Sequence, residues 1–218
     1  MTTSTSTDPG MRTLPDHLVA FGLVHVALRR DVRRLTAVAD RVTPATAGRV
    51  RSWWSAVHDV VDWHHRTEDD IVWPELRRRV PGFAAAERTM DHHHADLEDA
   101  LAAVVAALAP GADAGRLAPA ARHLDRLLTE HLAAEEAIVF PAFADGMTKR
   151  QYLWMERRLI ANASPAVLAT LLPWLLDGAD RRTAARMLRF VPPPLQVAAG
   201  TVLRWRYQRT VRPVLDLI

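Results

Sequence analysis

Cysteine is missing altogether from the 218 residues. That excludes a disulfide framework, a thiolate-bound zinc, an iron–sulfur cluster and a cysteine nucleophile, so any metal must be met by nitrogen and oxygen donors. Glycine is sparse, at nine residues, and alanine and leucine are plentiful, a balance that favours helix over sheet. Lysine is almost absent, Lys149 being the single one, so the cations are arginines. They are interspersed with Asp and Glu at a formal net charge of only +3. This reads as a solvated surface and predicts no nucleic-acid partner. Long apolar runs are lacking too. The longest uncharged stretch, 159–176, is broken by Asn162, Ser164, Pro165, Thr170 and Pro173, and suits a buried turn and helix better than a membrane span. The Thr/Ser-rich start has neither the basic nor the apolar part of a signal peptide. A disordered tail over 1–13 and a cytoplasmic location are the expectations.

What is present is organised by a repeated phrase. His64 and Glu68 stand four residues apart, followed by Ile71-Val72-Trp73-Pro74; His131 and Glu135 repeat the spacing, followed by Ile138-Val139-Phe140-Pro141. Four residues on a helix is one turn, so each His and Glu share a face. Both pairs fall on apolar seams. Val57, Val61, His64, Glu68 and Ile71 form one three-four series, and Leu124, Leu128, His131, Glu135 and Ile138 another. Two further seams each carry one histidine: Leu18, Phe21, His25, Leu28, Val32 and Leu35, and Met90, His94, Leu97, Leu101, Val104 and Leu108. In the run His92-His93-His94 only His94 lies on its seam.

These seams predict helices over about 15–40, 47–78, 84–109 and 117–144. Short connections make successive helices antiparallel neighbours, so the fold expected is all-α, an up-down-up-down four-helix bundle over 14–146. Pro74 should kink the second helix near its end. Beyond it, 147–218 predicts shorter helices over 148–161, 164–176, 180–190 and 195–212, a helical extension packed on the bundle. It contains no histidine and no metal-binding constellation.

Imidazoles and carboxylates on apolar seams are costly to bury unless each finds a partner. A lone seam histidine is ordinarily a hydrogen-bonded core residue. Four on four helices, two with a glutamate one turn on, point instead to a shared partner: metal. The candidate ligands are His25, His64, Glu68, His94, His131 and Glu135. With both glutamates bridging and two histidines on each ion, four protein donors per ion leave positions for exogenous ligands. Open, redox-active positions suit iron better than zinc, while manganese is not separated from iron by donor type. His65 reads as a partly exposed neighbour of His64 that would join only if the helix distorted, and Glu136 as a substitute for Glu135 that the seam disfavours. Trp63 and Trp73 flank the proposed site.

The four elements in this order resemble the hemerythrin-like (HHE cation-binding) domain over roughly 14–145. The 147–218 region is similar to C-terminal extensions of Arg- and Ala-rich actinobacterial members. The resemblance implies a non-haem di-iron site in a four-helix bundle, with those six residues as ligands and both glutamates as bridges. Oxygen carriers of the family space a further histidine His-x3-His on the third helix. Met90 precedes His94 by four residues and Glu98 follows by four, so that pair is absent, reversible oxygen transport is put in doubt, and both ions are expected to have room for ligands. The expected function is binding or turnover of small oxidants (peroxide, dioxygen or nitric oxide), catalase-like in one form, in an oxidative-stress role. The competing reading is an iron, oxygen or nitric-oxide sensor signalling through its C-terminal helices.

Overall fold

The computed structural model describes residues 9–218, and every described regular element is helical. The expected disorder of residues 1–8 lies outside the described residues. Over 9–13 the structure differs from that expectation. Pro9–Arg12 makes a 3-10 turn and Met11 is buried. The physical reason is Gly22, where the absence of a Cβ admits the Met11 side chain against the helix that follows.

Helix α1 (Val19–Ala39) and α2 (Pro44–Thr67) are followed by a π-helical turn (Glu68–Val72) and α3 (Trp73–Arg79). Then come α4 (Phe83–Ala107) and α5 (Leu117–Gly146). The four seams meet as the sequence predicts, with α5 packed along both α1 and α4. Local chemistry sets the ends. Thr43 and Thr46 cap α2 reciprocally, with Pro44 at its first turn. Gly82 adopts φ 80°, the left-handed conformation that lets the chain turn after Val80-Pro81 into α4. The second helix is therefore not one kinked rod. At Pro74 the missing N–H and the ring would leave the last α turn open, and the backbone widens into a π turn in which Trp73 N–H bonds Glu68 C=O. Pro141, its counterpart, leaves α5 α-helical throughout.

The remaining chain forms α6 (Lys149–Ala161), α7 (Pro165–Leu176), α8 (Arg181–Leu188), α9 (Pro193–Gly200) and α10 (Val202–Leu215). The single helix expected over 195–212 is two, parted at Thr201. Thr148, Ser164 and Asp180 cap α6, α7 and α8 through their side chains. Helices α7 and α10 pack on α2, and α7 also on α1. A buried polar knot joins them. Asp31 of α1 accepts from Arg30 Nε (2.9 Å), Arg34 Nη1 (2.9 Å) and Trp174 Nε1 (2.7 Å). Arg30 Nη1 in turn donates to Trp174 C=O at 3.0 Å. Arg186 of α8 donates to Asp16 (2.6 Å) and to Met11 C=O (2.9 Å), which ties down the start of the described chain. Among the described residues no helix is long and apolar enough to cross a membrane.

Candidate metal centre

All six seam residues reach one place inside the bundle. His25 is presented by α1, His64 by the last turns of α2, Glu68 by the start of the π turn, His94 by α4, and His131 and Glu135 by α5. Five of the six are buried, and His94 keeps about 10% of its side chain exposed. Each glutamate spreads its two oxygens between two histidines. Glu68 Oε1 lies 3.2 Å from His64 Nε2 and its Oε2 3.7 Å from His94 Nε2. Glu135 Oε1 lies 3.5 Å from His25 Nε2 and its Oε2 3.3 Å from His131 Nε2.

The donors form two groups. His25, His64, Glu68 and Glu135 each offer an atom within 4.8 Å of the others; so do His65, His94 and His131. His65 is the addition. It is buried, and its ring stacks on His94 at 4.4 Å between centroids. The sequence reads His65 as a partly exposed neighbour of the centre; the structure sets it beside His94 and His131, so that side holds three imidazoles where two are expected. A signal for it existed in the sequence: Val61, His65, Glu68 and Val72 make a second three-four series beside the first, all buried. Its counterpart in α5, 67 positions on, is Leu132, so the two halves differ at that position.

The carboxylates after the two glutamates have a different task. Asp69 Oδ1 accepts from His94 Nδ1 and from Trp73 Nε1, both at 3.0 Å. Glu136 Oε1 accepts from His25 Nδ1 at 3.0 Å and from Arg29 Nη1 at 2.6 Å. In the neutral ring, a proton held at Nδ1 leaves the Nε2 lone pair facing the centre. Each half thus orients the first histidine of the other half. Phe21 sits against His25 (5.0 Å) and Phe140 against both (6.2 and 6.1 Å), while Trp73 stacks on His94 at 6.3 Å.

Electrostatics among these side chains follow from burial and from these pairs. Burial drives His64 and His65 well below the usual histidine range, and His131 below it. Burial also opposes charge on His25, but Glu135 and Glu136 outweigh it and lift that imidazole to about 9. Burial and the adjacent Glu135 push Glu68 well above the carboxylate range. Burial opposes charge on Glu135 as well, yet His25 and His131 hold it well below that range.

Among the described residues, ten buried atoms of these side chains have no hydrogen-bond partner: His131 Nδ1 and nine candidate donor atoms, namely Nε2 of His25, His64, His65, His94 and His131 and both oxygens of Glu68 and Glu135. Each orphaned polar atom would cost about 1–3 kcal/mol, so nine of them facing one another are not a satisfied core. Bonds of about 2.0–2.2 Å set donors of one ion at most about 4.4 Å apart, close to the spread within each group. The donor set fits a cation.

A four-helix bundle with imidazoles and carboxylates turned inward is a cation-binding bundle. The family model of the hemerythrin HHE cation binding domain matches residues 19–143 and again 86–190, and the chain belongs to that family. The two matches start 67 residues apart, the offset between His64 and His131 and between Glu68 and Glu135. No curated protein and no solved structure matches the chain.

Of the other histidines, His93 is half-buried with its ring 5.8 Å from His131, His17 lies edge-on to Tyr152 at 5.4 Å, and His92 is exposed.

Proposed function

We propose that the protein is a non-haem di-iron protein that binds or turns over small oxidants, with peroxide removal as its concrete form. The observation that carries this is the unequal pair of donor groups. With His25, His64 and one oxygen from each glutamate, the first ion would have four protein donors. With His65, His94, His131 and the remaining oxygens, the second would have five. An octahedral ion on the first side therefore keeps two positions for an exogenous ligand, and the second keeps one. His25, His64, Glu68, His94, His131 and Glu135 are the proposed ligands, joined by His65.

A pair of redox-active ions supplies two-electron chemistry that the side chains here lack. The chain's own contribution is to hold the imidazoles by Asp69 and Glu136, to bridge with Glu68 and Glu135, and to keep water away with Phe21, Phe140 and Trp73. Peroxide disproportionation balances with no further reactant, two peroxides giving two waters and one dioxygen. Anaerobic loading with ferrous iron tests the reading. Two irons per chain, a near-ultraviolet charge-transfer band on adding peroxide, and gas evolution lost in His64→Ala are expected. Less than one iron per chain, or equal peroxide consumption in His64→Ala, would reject it.

A sensor reading draws on the last two helices, where Leu195, Val197, Val202 and Trp205 are each more than half exposed. Ligand-dependent protease sensitivity of 148–218 without turnover would favour it.

A further inference from the structure

The three remaining coordination positions say nothing of how a ligand arrives, and the donor groups lie deep. One cavity reaches them. Helices α1, α2, α6 and α7 enclose a space of about 70 Å³ whose walls include His64 and Glu68 on the side with fewer donors. Exposed Ile160 contributes to the same wall. The opposite group meets the surface at the edges of His65 and His94, and the His94 ring is stacked between His65 and Trp73.

Most of the cavity lining is apolar, including Phe21, Leu171 and Leu175, but α6 adds two polar side chains one turn apart, Tyr152 and Glu156. Tyr152 is 1% exposed and its hydroxyl has no hydrogen-bond partner. Glu156 forms no ion pair among the described residues, and burial, only partly offset by Arg157, lifts its carboxyl to about 7. Leaving the buried Tyr152 hydroxyl unpaired is unfavourable, and a phenylalanine would pack the same space at no such penalty; Glu156 beside it is half-buried. A ligand that hydrogen-bonds to both removes the penalty.

Size and chemistry narrow that ligand. One water needs about 10–15 Å³ of space of this kind, so the cavity takes a few small molecules and excludes an organic substrate. Dioxygen and nitric oxide carry no O–H and give Glu156 nothing to accept. Hydrogen peroxide, like water, both donates and accepts, and of the small oxidants named above it alone does so.

We propose that this cavity is a hydrogen peroxide site on the way to the metal centre, Tyr152 donating to a peroxide oxygen and Glu156 accepting from a peroxide O–H. It rests on the di-iron reading above and adds the place and the side chains that would hold peroxide before it reaches the metals. It also assigns α6, which follows the four bundle helices, a part in binding rather than packing alone. No bond is made or broken at this step; the molecule is held beside the His64 and Glu68 half of the centre.

The chain has two tyrosines, Tyr152 and Tyr207, so a sample labelled with [13C]tyrosine gives two ring signals, told apart in Tyr207→Phe. The full chain is loaded with zinc, which fills the centre without turning peroxide over, and titrated with hydrogen peroxide. A saturable shift of the Tyr152 signal, lost in Glu156→Leu while the metal content is unchanged, is expected. In the iron-loaded protein, Tyr152→Phe and Glu156→Leu should each raise KM for peroxide about tenfold, the worth of one hydrogen bond, with kcat altered less than twofold. A Tyr152 signal that does not move, with KM unaltered in both variants, overturns the site while leaving the di-iron reading intact. Failure of the wild-type chain to bind two metal ions overturns both.

Discussion

Glu68 and Asp69 are neighbours in sequence and have opposite relations to the centre: one turns both oxygens inward, the other holds His94 from outside. Glu135 and Glu136 repeat the division, with Glu136 on His25. Replacing either outer carboxylate frees a ring to rotate without deleting a donor. Asp69→Asn and Glu136→Gln are each expected to lower metal affinity about 10- to 100-fold while leaving the helical signal unchanged, as a competitive chelator titration would measure. Glu156 makes a separate prediction about pH. Its folded-state pKa of about 7 lies above the ordinary glutamate value of 4.5, so the folded chain binds more protons than the unfolded one between those values. Stability then falls as pH rises through that window, with the full penalty present above about 7. Glu156→Leu should therefore stabilise the protein at pH 8 by about 3 kcal/mol more than at pH 4. Urea unfolding at the two pH values checks it, and equal gains at both would contradict the assignment.

At the scale of elements, the two halves of the bundle follow one pattern and depart from it where the backbone does. Pro74 and Pro141 occupy corresponding places, yet only the first is preceded by a π turn. The same half places two consecutive histidines in the centre where the other has His131 and Leu132. The extension depends on a different device. Asp31 is fully buried and accepts from Arg30, Arg34 and Trp174. Asp31→Ala leaves the Arg30 guanidinium inside without its carboxylate, the kind of loss that costs about 3–5 kcal/mol. Chemical denaturation should show that loss, and limited proteolysis should cut between α6 and α10 sooner than in the wild type. Asp177 adds to the same knot, accepting from Arg34 and Tyr207 at 2.8 Å each.

At the scale of the whole molecule, the centre is a place where stability and function are linked. A cation that binds the folded chain alone stabilises it by mass action, about 4 kcal/mol at a thousandfold excess over Kd. For a chain of this size that raises Tm by roughly 10 °C. Calorimetry with and without a chelator should find that difference, and it should shrink in His131→Ala. Much of this was legible in the residues. The four bundle helices followed from three-four spacing, and the convergence of His25, His64, Glu68, His94, His131 and Glu135 from their places on those seams. A seam position is a local property, decided by 3.6 residues per turn and the drive to bury apolar neighbours, so the sequence by itself determined which donors would face inward. His65 left a fainter trace, a second series beside the first; the partnership of Asp69 with His94 and Glu136 with His25, the π turn before Pro74, and the meeting of Tyr152 and Glu156 with His64 were decided only by the tertiary structure. Each is a distance between separate helices or a one-residue change of backbone register, and those depend on how whole side chains pack against one another.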